Sequence, residues 1–379
     1  MRVRSLKILA FVLVSGGSAC PALGRVIQLT GLNRATRTTD FADPSEPRFT
    51  KDEVSILVTG GRRLVWRKSN AISGEKRFFS GESPEIEPIR ICHRDGTEIS
   101  EDFGEDIWDP TMHGNFLYGS IMTPTSGNQH AIWPADAASR RVYPFRLLSE
   151  CWTRSETPLV AAWNNDGWVN HNYGHSFLKA DDGREWVFYE RVNDDTGNLP
   201  LKTALFAKIL RTPERTDENE TSIFDFKLGQ WPTLARENGG VLAEGPRPFK
   251  FANGYLISFS GGDYWSNSYG IHLLWSKNIN GPYAPFTTPD GRDLKDFGAT
   301  LRQTLNLTWG PARAVFFERR GRWYALFHAV KKPFNPKVQE GYRQLFLAEV
   351  TIESSSGQAP QITFSAEQAS KSSTSAPPP

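Results

Sequence analysis

Ala243-Glu244-Gly245-Pro246-Arg247-Pro248-Phe249-Lys250-Phe251-Ala252-Asn253-Gly254-Tyr255-Leu256-Ile257-Ser258-Phe259 contains the pattern on which the fold is read. An acidic residue before Gly-Pro stands roughly ten residues ahead of an Asn-Gly turn, and an apolar run follows the turn. Asn-Gly between apolar runs is a hairpin signal, because both central residues of the tight turn need positive φ. Similar runs occur at Val54 to Val58, Asn115 to Ile121, Trp186 to Tyr189 and Trp323 to His328. Asp181-Asp182-Gly183-Arg184 and Arg320-Gly321-Arg322 supply comparable turns. The chain is expected to be mainly antiparallel β.

Moving outward from residue 244, the short motif ahead of each hairpin recurs as Asp43-Pro44, Asp109-Pro110, Gly174-His175, Glu244-Gly245-Pro246 and Gly310-Pro311. The spacings are 66, 65, 70 and 66 residues. A fixed period marks a repeated supersecondary unit, and this length suits a four-stranded sheet with generous loops. Five units predict an all-β, five-bladed β-propeller in a single domain spanning 39–352. In that architecture the motifs converge at one mouth of the axis, so the repeat predicts a site as well as a fold.

Composition narrows the function. Lys plus Arg number 44 against 42 Asp plus Glu, a net charge of +2, which provides no basic footprint for nucleic acid. Residues 1–24 read as a signal peptide: Arg2, Arg4 and Lys7, the apolar run Ile8 to Val14, then small residues. That run is too short to span a bilayer, and no membrane span is expected. Cleavage after Gly24 gives a secreted or periplasmic protein; cleavage after Ala19 leaves Cys20 available for a lipid anchor. Residues 353–379, rich in Ser, Ala and Pro, are expected to be a disordered tail. Cys92 and Cys151 would then share an oxidising compartment, where they are either bridged or free.

The residues Ala42-Asp43-Pro44-Ser45, Trp108-Asp109-Pro110, Glu244-Gly245-Pro246, Asn280-Gly281-Pro282-Tyr283, and Gly310-Pro311 with the following Trp323 to His328 resemble glycoside hydrolase family 43. The resemblance covers roughly Phe41 to Val350. It implies an exported glycosidase acting on a poly- or oligosaccharide, with pentose polymers such as arabinan or xylan as candidates. Inverting hydrolysis needs a carboxylate base and a carboxylic acid ~6.5–9.5 Å apart. By resemblance Asp43 is the base and Glu244 the acid.

Two positions depart from the family pattern. Its third acidic residue falls on Gly174, which leaves three options: Asp109 takes that catalytic role, His175 takes it, or no hydrolysis occurs. Its axial cation is held in part by a histidine, where this chain has Arg313; the permanently charged guanidinium stands in for calcium, so no metal and no cofactor are expected. Arg247 and Arg313, with His175, Trp66, Trp108, Tyr264 and Trp265, complete the expected substrate-binding set, the aromatics as flat walls for sugar rings. The alternatives are a non-catalytic carbohydrate-binding propeller and a phosphorylase or transferase relative that uses the two arginines.

Overall fold

The computed structural model describes residues 26–29, 43–49, 53–60, 63–70, 85–92, 95–97, 106–123, 139–148, 151–155, 157–160, 164–165, 168–194, 202–225, 243–251, 254–262, 269–286, 307–331, 343–353 and 360–364. These form an all-β propeller built from five sheets. The strand β1 (Val26–Leu29) joins the last of them. Sheet one runs in order through β2 (Arg48–Phe49), β3 (Glu53–Gly60), β4 (Arg63–Asn70) and β5 (Glu85–Pro88). Sheet two contains β6 (Ile91–Cys92), β7 (Asp106–His113), β8 (Phe116–Thr123), β9 (Ser139–Leu148) and β10 (Cys151–Arg154). Sheet three is β11 (Asn164–Asn165), β12 (Trp168–Lys179), β13 (Glu185–Asp194), β14 (Lys202–Thr212), β15 (Arg215–Thr216) and β16 (Thr221–Asp225). Sheet four is β17 (Ala243–Phe251), β18 (Gly254–Gly261), β19 (Gly270–Ser276) and β20 (Ala284–Pro285). Sheet five joins β21 (Leu307–Arg319), β22 (Arg322–Lys331) and β23 (Arg343–Glu353) to β1 and to β24 (Gln361–Phe364).

Apolar side chains on the sheet faces hold neighbours together. Tyr118 meets Val187 and Tyr189 between sheets two and three. Phe188 and Leu205 meet Tyr255 and Ile257 between three and four. Phe249 stacks on Phe316 between four and five, with ring centroids 4.7 Å apart. Val54, Ile56 and Val58 then meet Phe317, Leu326, Leu345 and Leu347, which packs sheet five on sheet one. The turn at Arg320-Gly321 has positive φ at both residues, as a two-residue hairpin requires.

Two strands fall outside the expected 39–352 span. β1 pairs with Leu345 to Ala348, and β24 pairs with Val350 to Glu353. The expected disordered tail therefore starts too early. Ile362 is buried in the core shared by sheets four and five, an apolar anchor sufficient to dock β24. Residues 1–25, including Cys20, and the tail beyond 364 lie outside the described residues. Cys92 and Cys151, whose pairing the sequence leaves open, form a disulfide with a Cα–Cα distance of 6.1 Å. It ties β6 to β10 at the edge of sheet two. No helix among the described residues is long and apolar enough to cross a membrane.

Candidate active site

The inner strands of sheets two to five each break their ladder with the next strand. The pairing register shifts between Trp108 and Thr111, Tyr173 and Ser176, Glu244 and Arg247, and Ala312 and Val315. In each gap one residue is left-handed: Asp109 at φ 53°, Gly174 at 62°, Gly245 at 59° and Arg313 at 53°. Asp43, just ahead of β2, has the same conformation at φ 49°. These bulges re-aim side chains toward the axis. They also correct the sequence alignment: the repeated position in sheet four is Gly245, one residue after Glu244, and in sheet five it is Arg313, three after Gly310.

The five left-handed N–H groups are each caught by a side chain of the preceding sheet. Asp43 donates to His328 Nδ1 at 3.0 Å, Asp109 to Thr59 Oγ1 at 3.2 Å and Gly174 to Asp109 Oδ2 at 3.2 Å. Gly245 donates to Glu190 Oε2, and Arg313 to Ser260 Oγ at 2.6 Å. A ring of hydrogen bonds thus runs around the axis and fixes where each bulge points.

Arg313 sits among the carboxylates. Its Nε is 3.3 Å from Asp43 Oδ1, its Nη1 3.1 Å from Asp109 Oδ1 and its Nη2 4.0 Å from Glu244 Oε2. The guanidinium passes through space that Gly245 leaves empty; a Cβ there would overlap it, 2.6 Å from Cζ. Glu244 Oε2 also accepts a hydrogen bond from Tyr269 Oη at 2.9 Å.

A fourth carboxyl, Glu190 on β13, escaped the sequence reading. Glu190 and the Gly245 backbone together occupy the side-chain space at 174: a Cβ there would overlap Oε2 and lie 2.8 Å from both Glu190 Cδ and Gly245 N. The signal for it is a repeat on the second strands. Ser120, Glu190, Ser260 and His328 lie opposite Trp108, Tyr173, Glu244 and Ala312, each one residue before a bulge.

Exposure divides these acids. The Asp43 and Glu244 side chains remain 11% and 14% exposed, whereas Asp109 is 2% exposed and Glu190 fully buried. Burial works against ionisation of Asp43, but Arg313 and then His328 outweigh it and hold its carboxyl below the usual range. For Asp109 burial prevails over Arg313, with Asp43 adding to it, and the pKa is raised. Burial likewise pushes Glu190 well above the ordinary range.

Other expected binding residues are placed differently. His175 is fully buried, and burial followed by Arg247 lowers its pKa to about 3. It is therefore a neutral ring packed near Tyr118 and Phe177, unsuited to taking the missing acid's role. Arg247 is 5% exposed and donates to the His175 carbonyl and to Thr111 Oγ1. Trp108 is half-buried on β7, and Trp66 lies on β4 opposite Leu57. Tyr264 and Trp265 lie outside the described residues.

The chain superposes on a thermostable family-43 glycoside hydrolase with a TM-score of 0.60, at 12% identity, over 89% of this chain and 98% of that one. The fold is that of the family-43 glycoside hydrolases. An α-L-arabinofuranosidase from Lactobacillus brevis gives a TM-score of 0.58 at 11% identity, covering 85% of this chain and 93% of that one. A GH43 endo-arabinanase from Bacillus licheniformis gives 0.53 at 16%, covering 85% and 97%. No family model and no curated protein matches the sequence.

The resemblance implies an axial cation, and the residues present do not fit one. The guanidinium of Arg313 already fills the gap between Asp43, Asp109 and Glu244. Among the described residues no group of three or more His, Cys, Asp or Glu could hold a metal.

Proposed function

We propose that this chain is an exported glycoside hydrolase that cleaves poly- or oligosaccharides by inversion, its five sheets serving as the five blades of one propeller. The observation that carries the reading is that Asp43 and Glu244, from sheets one and four, share one guanidinium and are the two carboxyl groups of the cluster with the most exposure. That sharing confines them to two ion-pair contacts and the width of one planar group, which admits the ~6.5–9.5 Å of an inverting pair. Asp43, held ionised by Arg313, takes a proton from water as the water oxygen bonds to the anomeric carbon. Glu244 gives its proton to the glycosidic oxygen as the bond to that carbon breaks. Asp109 and Glu190, enclosed, support the pair without touching the sugar.

The substrate class follows by similarity. The superposed enzymes act, by their names, on arabinofuranosides and arabinan, so pentose glycans come first. The disulfide supports export, since such bridges persist outside the reducing cytosol; secretion, a periplasmic location and a lipid anchor at Cys20 all satisfy it.

The test is release of reducing sugar from a glycan panel, with and without phosphate, with product anomers read by proton NMR. We expect hydrolysis independent of phosphate and an inverted product. Asp43→Asn should lower turnover by about 10²- to 10⁴-fold while sugar still binds. Glu244→Gln should lose as much on poor leaving groups and less on activated aryl glycosides. Sugar bound but never cleaved by the wild type would move the protein to the binding-module class.

A further inference from the structure

Opposite the residue before each bulge, three of the four registered second-strand positions carry Ser120, Ser260 and His328, and the fourth carries Glu190. A hydroxyl or an imidazole is enough to accept the next sheet's N–H, as Thr59 also shows. A carboxyl is not needed for strand packing, and burying one is costly. Glu190 is nonetheless fully buried, with Oε2 taking the Gly245 N–H and Oε1 lacking a hydrogen-bond partner among the described residues. It fills the gap at Gly174, where sheets one and two carry Asp43 and Asp109 in the same left-handed conformation. Aspartate is thus compatible with that backbone conformation, and at 174 the Glu190 carboxyl stands in its way together with the Gly245 backbone nitrogen, 2.8 Å from an added Cβ.

We propose, resting on the glycosidase reading, that Glu190 is the positioning residue of the acid Glu244: from the gap left by Gly174 it holds the Gly245 N–H, and so the adjoining Glu244. It also supplies the carboxyl that the bulge of sheet three lacks. Glu190 acts through the backbone and is sealed from substrate. The charged groups around it are Arg313 from β21, Asp109 from β7, and Glu244 and Arg247 from β17, with Tyr173 opposite on β12. Burial raises the pKa of its carboxyl well above the ordinary range.

The test compares wild type, Glu190→Gln, Gly174→Asp and the double variant Gly174→Asp/Glu190→Ala, which moves the carboxyl from β13 to the bulge. Hydrolysis is followed against pH on an unactivated oligosaccharide and on an aryl glycoside, alongside thermal unfolding. Glu190→Gln should lose about 10²-fold in kcat on the oligosaccharide, less on the aryl glycoside, and change the shape of the pH profile. Gly174→Asp alone should unfold at a lower temperature and be nearly inactive. The double variant should be more stable and more active than Gly174→Asp, and should serve as the readout if Glu190→Gln does not fold. Wild-type rates and an unchanged pH profile in folded Glu190→Gln would overturn the proposal, as would Gly174→Asp being tolerated as well alone as in the pair. If the wild type cleaves no glycan, the glycosidase reading fails on that result alone. Glu190 is then judged by carboxyl-carbon NMR: Glu190→Gln should displace the Glu244 resonance, assigned by its loss in Glu244→Gln, and an unmoved resonance sinks the proposal.

Discussion

At Arg313 a side chain joins three sheets. Its guanidinium is 6% exposed and contacts Asp43 and Asp109 directly, with Glu244 at 4.0 Å. Removing one partner from a buried ion cluster leaves the others uncompensated, at a cost of about 3–5 kcal/mol. Arg313→Ala should therefore destabilise the protein by that order in denaturant unfolding as well as abolish turnover. Arg313→Lys should rescue little, because one ammonium cannot reach all three carboxylates as a planar fork does. Chelators should leave the wild-type rate unchanged. Asp43, Glu244 and Arg313 were legible in the sequence because each lies within three residues of a Pro motif that repeats. Glu190 was not, because its importance comes from a cross-strand register, and Glu-Arg-Val in a β-run looks like any solvated face. His175 was legible as a titratable residue, but burial removes that property. Its pKa near 3 against an ordinary 6.5 means the unfolded chain binds more protons between those values. Its contribution to stability is intact above pH about 6.5 and declines as pH falls toward 3. The melting temperature should drop across that window, and His175→Gln should show a shallower slope.

The inner strand with its bulge is the element that makes the site. Asp43, Asp109, Gly174, Gly245 and Arg313 share a left-handed φ although the set mixes two aspartates, two glycines and an arginine. The sequence therefore showed the period clearly and the register poorly: dipeptides ending in Pro or beginning with Gly marked the neighbourhood, while the backbone conformation chose the residue. The two glycines are distinct in what they admit, a carboxyl at 174 and a guanidinium at 245. Gly245→Ala should cost about 1–2 kcal/mol for left-handed strain and a further ~1–3 kcal/mol for overpacking against Arg313. Gly114, with φ 58° and no atom within 4 Å of an added Cβ, is the control. Gly114→Ala should show only the strain, and a chemical-denaturation comparison of the two variants isolates the contact with Arg313.

Over the whole molecule, apolar clusters join neighbouring sheets, and the last sheet packs on the first. The Cys92–Cys151 bridge spans 59 residues and ties the edge of sheet two. Cys151→Ser should lower stability by about 2–4 kcal/mol, seen as an earlier unfolding transition that added reductant does not change, whereas reductant should shift the wild type. The all-β architecture was legible because alternating runs and turns repeat along the chain; the outer strands β1 and β24 were not, being four residues each and lying beside compositionally biased ends. Those two strands lie end to end along β23, β1 beside Leu345 to Ala348 and β24 beside Val350 to Glu353. A nascent chain cannot complete that seam until Phe364 has been made. A chain stalled or clipped before that point would present a row of bare amides and carbonyls, a template on which another copy can add its own strand. The seam therefore couples solubility to synthesis through Phe364.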